Sequence, residues 1–197
     1  MTVKLPAIAA LLFVAAACTR EGEARGPEAS DAGGDVVSEA SVSAAVSDSL
    51  NDPTIVAIFD AANTADIETG ELAATRGSTK EIREFGAMLA RDHRMVRQSG
   101  RDLAAKLGVT PTPPANDASG KAHADALALL RSKSGRDFDK AFLDHEVAFH
   151  QSVIDAVGST LLPAIRNAEL KDLVVKVAPA FEAHRAAAAN LRARIGN

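Results

Sequence analysis

Residues 78–108 read STKEIREFGAMLARDHRMVRQSGRDLAAKLG, and their spacing decides the fold. Ile82, Phe85, Leu89, His93, Val96, Gly100, Leu103 and Leu107 recur at steps of three and four, one stripe of a 3.6-residue helix. Ser78 and Glu81 have the spacing of a capping box, and Gly108 supplies a stop. His93 falls mid-stripe, both around the helix and along it. A buried imidazole must be hydrogen-bonded, bound to a metal or held neutral at a cost of a few kcal/mol.

Working outward, the same periodicity recurs. Asp52-Pro53 predicts a cap and first helical turn for a helix running to about Arg76 and stopped by Gly77. Its stripe is Ile55, Ile58/Phe59, Ala62, Ala65/Asp66, Thr69 and Ala73, with Asp66 within about 20° of the stripe's axis. Glu68 and Glu71 fall on the solvated side. After an extended, proline-bearing stretch, 109–119, a shorter helix is predicted over Gly120–Lys133, with Leu127 and Leu130 inward and His123 at the surface. A further helix is predicted from near Asp137 to Val157, with Asp139, Glu146 and His150 near the centre of its apolar face. His145 lies about 100° from that centre, at the rim. The last helix is predicted to begin after Pro163 and reach Ile195; its stripe carries His184, and Pro179 predicts a kink one turn earlier. Four long amphipathic helices with a short one in the crossover bury every stripe as an all-α four-helix bundle.

Composition narrows function by exclusion. The chain has 197 residues, enough for one domain plus processing and linker segments. A net charge of −4, with both signs interspersed, and seven Phe without Trp or Tyr give neither a basic patch nor a base-stacking platform, so nucleic acid is not an expected partner. No nucleophile with a paired base, phosphate loop or thiol motif is present.

The N-terminal stretch predicts export. Residues 1–17 join Lys4 to an apolar run too short to span a bilayer and end in Ala15-Ala16-Ala17 before Cys18, the only cysteine. This reads as a signal peptide of lipoprotein type, with Cys18 acylated, although Ala15 stands where a lipoprotein box usually has Leu. Thr19 after the cysteine favours the outer membrane, with the protein facing the periplasm. Ordinary cleavage to a soluble periplasmic protein is the alternative. Residues 18–51 are too polar to bury a core and read as a disordered tether spanning roughly 30 Å; residues 52–197 form the helical domain.

Mid-helix residues of a bundle meet at one level, so Asp66, His93, Glu146, His150 and His184 are expected to converge. Glu146 and His150, at i and i+4, can both reach one metal. A metal site and a metal-free polar layer that fixes register both fit this pattern.

The run Asp66-Ile67-Glu68-Thr69-Gly70-Glu71-Leu72-Ala73, then Met88 through Asp92-His93, Phe138-Asp139 through His150, and Pro179-Ala180-Phe181-Glu182-Ala183-His184 resembles the DUF4142 family. The resemblance covers nearly all of Pro53–Ile195. It implies an exported bacterial protein with a ferritin-like bundle, associated with the outer membrane, and it carries His93, His150 and His184 over by position. Asp66 stands where many relatives have Glu. The family supplies no activity. Glu-x-x-His, the di-iron signature of ferritin-like enzymes, occurs nowhere in the chain, so oxygenase or ferroxidase chemistry is not expected.

The resulting expectation is a lipid-anchored bundle that stores, buffers or senses a transition metal (zinc, copper, nickel or iron) through His93, Glu146, His150, His184 and Asp66. The competing reading is a non-catalytic envelope interaction or stress protein whose polar layer is structural. A redox enzyme using the same residues is a third.

Overall fold

A computed structural model describes residues 50–196, all helices and their connections. The expectations for the signal segment, Cys18 and nearly all of the tether lie outside these residues. No described helix is long and apolar enough to cross a membrane.

Helix α1 spans Asp52–Arg76, α2 Lys80–Leu107, α3 Ser119–Arg131, α4 Gly135–Ala156 and α5 Ala168–Ile195. The caps correct the sequence reading. Asn51, not Asp52, caps α1 by accepting from the Thr54 amide at 3.1 Å. The Asp52 carboxylate instead accepts from the amides of Arg166 and Asn167, each at 2.9 Å, tying the start of α1 to the turn before α5. Thr79, not Ser78, caps α2, and Ser78 is held across the bundle by Asp139, whose Oδ1 accepts from its amide at 2.9 Å. Asp139 therefore closes the α1–α2 turn and does not belong to the central cluster. Between α4 and α5 the chain does not break at Gly158. It passes through a π-helical turn, Val157–Leu161, and a single turn, Leu162–Ala164, before Asn167 caps α5. Helix α5 runs unbroken through Pro179.

The four long helices form a ring in the order α1, α2, α5, α4, with each neighbouring pair antiparallel. Along α1 and α4, Asp66 lies near His150 and Thr69 bonds Glu146; along α2 and α5, His93 meets His184 while Glu81 meets Arg194. Helices α2 and α4 consequently point the same way, and the connection between them must return along the bundle. Helix α3 is that return. It lies on α1 and α4, and Arg76 at the end of α1 donates to the carbonyls of Arg131 and Lys133.

Helices α1 and α2 pack backbone on backbone. A methyl group on Gly70 would come within 2.7 Å of the Gly86 carbonyl oxygen, and one on Gly86 within 2.6 Å of the Gly70 oxygen. The missing side chains let Asp66 and His93 face each other across a narrow gap. Apolar clusters close both ends of the bundle: Ile82, Phe85, Leu89, Phe138 and Phe142 at one, Ile55, Leu161, Ile165, Leu170 and Val174 at the other. Fully burying side chains of this size is worth about 1.5–3 kcal/mol each. The stability they supply allows the polar layer between them.

Candidate metal-binding layer

All five side chains anticipated from the sequence meet in this layer, and all are buried. Asn63, Asp66 and Thr69 come from α1, His93 from α2, Glu146 and His150 from α4, and His184 from α5. The ring centroids of His93, His150 and His184 form a near-equilateral triangle with sides of 5.1, 5.5 and 5.6 Å. Phe181, one turn before His184, packs against two of these rings.

The hydrogen bonds fix which nitrogen of each ring is free. Asn63 donates through Nδ2 to the Phe59 carbonyl at 2.8 Å, so its Oδ1 faces His93 Nδ1 at 2.9 Å. A carbonyl only accepts, so His93 carries its proton on Nδ1 and leaves Nε2 bare. His150 Nδ1 donates to the Glu146 main-chain carbonyl at 3.0 Å, and its Nε2 is buried without a partner. His184 Nε2 faces Asp92 Oδ2 at 3.3 Å, and a carboxylate requires the proton there, leaving Nδ1 bare. That Nδ1 lies 3.2 Å from His93 Nε2. The pair is joined either by a proton, His184 Nδ1 then donating to His93 Nε2, or by a metal ion that both lone pairs face. Two nitrogens sharing a tetrahedral zinc at about 2.0–2.1 Å stand about 3.3 Å apart.

Burial keeps the rings neutral. It pushes His93 down to about 2, helped by the charges of His150 and His184, and His150 down to about 3. His184 is also lowered by burial, with Asp92 opposing the shift. Neutral imidazole is the form that coordinates metals.

The carboxylates stand behind the rings. Asp66 Oδ2 is 3.5 Å from His93 Nδ1, and its Oδ1 is 3.9 Å from His150 Nδ1. Glu146 Oε2 is 3.5 Å from His150 Nδ1, while Oε1 accepts from the Thr69 hydroxyl at 2.9 Å. Both Asp66 oxygens and Glu146 Oε2 have no hydrogen-bond donor outside the carboxyl pair, within which a proton on one carboxyl bonds the other. Burial raises Asp66 well above the usual carboxyl range, with Glu146 adding repulsion, and raises Glu146 to about 8. One donor atom each from His93, His150 and His184 lies within 4.8 Å of the others, and the same holds for Asp66, Glu146 and His150. The five residues thus form two overlapping triads joined at His150.

Asn63 escaped the sequence reading. The available signal was a polar residue one turn before Asp66, in a run whose neighbours are apolar. Asp92, placed on the flank from sequence, lies where it holds the outer nitrogen of His184. His145 is half-buried at the rim and stacks on Phe149. His123, expected at the surface, is instead half-buried because it follows the Leu127/Leu130 face of α3 inward.

A helical bundle with neutral imidazoles and a carboxyl pair buried at its centre is a protein built around a polar core. The chain belongs to the DUF4142 family: the family model, described as a domain of unknown function, matches residues 37–191. No curated protein and no solved structure matches the chain.

Proposed function

We propose that this protein is an exported, lipid-anchored bundle that binds one transition-metal ion between His93 Nε2, His150 Nε2 and His184 Nδ1. The observation that carries the reading is the commitment of every outward-facing ring nitrogen, to Asn63, the Glu146 carbonyl or Asp92, which leaves three bare nitrogens facing inward. Carboxylates behind ligating histidines raise the basicity of the rings and fix their tautomers. Asp66, Glu146 and Asp92 occupy that position. Burial holds the Asp66 and Glu146 carboxyls protonated in the metal-free layer, and a divalent cation beside them would favour their ionised form. An imidazole-rich donor set suits zinc, copper, nickel or iron(II) and disfavours magnesium and calcium. Export and anchoring rest on the sequence of residues 1–18. A tethered bundle of this kind would store, buffer or sense metal outside the cytoplasm.

Elemental analysis of untagged protein, together with thermal unfolding in added zinc, copper, nickel or iron, tests the metal site. One ion per chain and a rise in Tm are expected; binding at 100 times Kd adds about 2.7 kcal/mol. A protein that takes up no ion and gains no stability leaves the layer as a structural device that fixes helix register. Cys18→Ser should move the protein from the membrane fraction to the soluble fraction, and unchanged partitioning defeats the anchor.

A further inference from the structure

Among the described residues, the central layer comes nearest to water at the seam between α2 and α5. Apolar clusters close both ends of the bundle, and the backbone contact at Gly70 and Gly86 closes the α1–α2 seam. Helix α3 lies over the α1–α4 seam, and α4 and α5 pack closely along their length. Helices α2 and α5 touch more sparsely. The exposures agree: Glu146 and His150 are 0% exposed, Asp66 1% and His93 2%, whereas His184, on the α2–α5 seam, reaches 7%. Directly outside it, Asp92 exposes 24% of its side chain.

The His184 ring is the wall at this point. Its Nε2 faces Asp92 Oδ2 at 3.3 Å and its Nδ1 lies 3.2 Å from His93 Nε2. The outer contact is longer than an ordinary N–H···O bond, so the ring is lightly held. Asp92 Oδ1, on the water side, accepts from Arg91 Nε at 2.9 Å and lies 2.8 Å from its Nη2. The Arg91 side chain is well exposed, and an ion pair of that kind contributes about 1 kcal/mol or less. Asp92 therefore has one oxygen on a partner that is easily displaced and the other on the ring that leads inward.

We propose that the α2–α5 seam is the entrance to the central layer: Asp92 receives the incoming divalent transition-metal cation in exchange for Arg91, and His184 swings outward to take the ion in. The inference rests on the central metal reading and adds its route. Turning His184 about its side-chain torsions breaks only the contacts of 3.2 and 3.3 Å and no backbone hydrogen bond. His93 and His150 stay in place, anchored at 2.9 Å by Asn63 and at 3.0 Å by the Glu146 carbonyl. The ion thus passes from a carboxylate to one mobile imidazole and then to two fixed ones.

The test is stopped-flow mixing of the full chain with zinc chloride at low and high salt, with a zinc-responsive dye reporting the free ion. Asp92→Asn keeps an oxygen for the His184 Nε2–H and removes the charge. Association should slow about 10-fold or more and lose most of its salt dependence, with the number of bound ions unchanged. Arg91→Gln, at an exposed position, should speed association. Asp144→Asn and Glu68→Gln remove equal charges elsewhere, beside Arg192 on the α4–α5 seam and beside His123 of α3, and should leave the rate at the wild-type value. An association rate that ignores both Asp92→Asn and Arg91→Gln overturns the entrance, as does equal slowing by Asp144→Asn or Glu68→Gln. Should Asp92→Asn misfold, Arg91→Gln decides alone, and an unchanged rate refutes the proposal. Failure of the central reading looks different: wild type then takes up no zinc, or folded His93→Ala binds it as wild type does, and the entrance falls with the site it serves.

Discussion

Asn63 Oδ1 lies 2.9 Å from His93 Nδ1, and the Phe59 carbonyl prevents the amide from turning round. Helix α1 therefore sets the tautomer of a histidine on α2. Asn63→Leu removes this acceptor while keeping bulk. It should cost about 1–3 kcal/mol in urea unfolding, the penalty for stranding a buried donor. Metal affinity should fall about 10- to 100-fold. A variant with lower stability and unaltered metal affinity would show that Asn63 only packs.

Protonation should shape the metal-free protein's stability from both sides. His93 and His150 bind protons near 6.5 when unfolded but only near 2 and 3 when folded, so acid below pH 6.5 favours the unfolded chain. Glu146 behaves oppositely: its ordinary value of 4.5 rises to about 8 on folding, so stability present below pH 4.5 is lost as pH rises towards 8. Asp66 adds to this alkaline limb. Urea midpoints of the apo-protein should therefore peak between about pH 4.5 and 6.5 and fall at pH 3.5 and pH 8. Saturating metal should flatten the alkaline limb, because a cation stabilises the ionised carboxylates. A monotonic profile would contradict the assignment of buried, neutral groups.

Gly70→Ala tests whether the helix spacing supports the site. Its methyl group would meet the Gly86 carbonyl at 2.7 Å and the Ala90 amide at 2.9 Å, backbone atoms that cannot rotate away. The variant should lose about 1–3 kcal/mol. Pushing α1 from α2 should also lengthen the Asn63–His93 bond and weaken metal binding. Gly120→Ala, with open space around the added methyl, is the control that should leave both unchanged.

Asp139→Asn separates structure from site. Asp139 is buried and accepts from the Ser78 amide and hydroxyl, away from the central rings. Destabilisation of about 1–3 kcal/mol with unchanged metal stoichiometry is expected. Loss of the bound ion from folded protein would place Asp139 in the metal-binding layer after all.

The helical stripes were readable because a 3.6-residue period repeats over six or more turns, and His93, Glu146, His150 and His184 stood out as polar exceptions on them. The termini were less readable because caps are chosen by geometry. Asn51 and Asp52 are both good caps, and only the position of the α5 turn drew Asp52 away. Asn63 was hidden by its neighbours Ala62 and Ala65, which fit the stripe without it. His123 was misplaced because the α3 pattern is short, and its inward face depends on a register with α1 that no local pattern contains.

Asp52 gives the bundle a mechanical property. Its two hydrogen bonds join the point where the chain enters α1 to the amides of Arg166 and Asn167 just before α5. A pull arriving from residues before α1 would load this clasp in shear and be shared between the first and last long helices, rather than peeling α1 away turn by turn. The residues of the central layer would then be shielded from tension on the chain that precedes them.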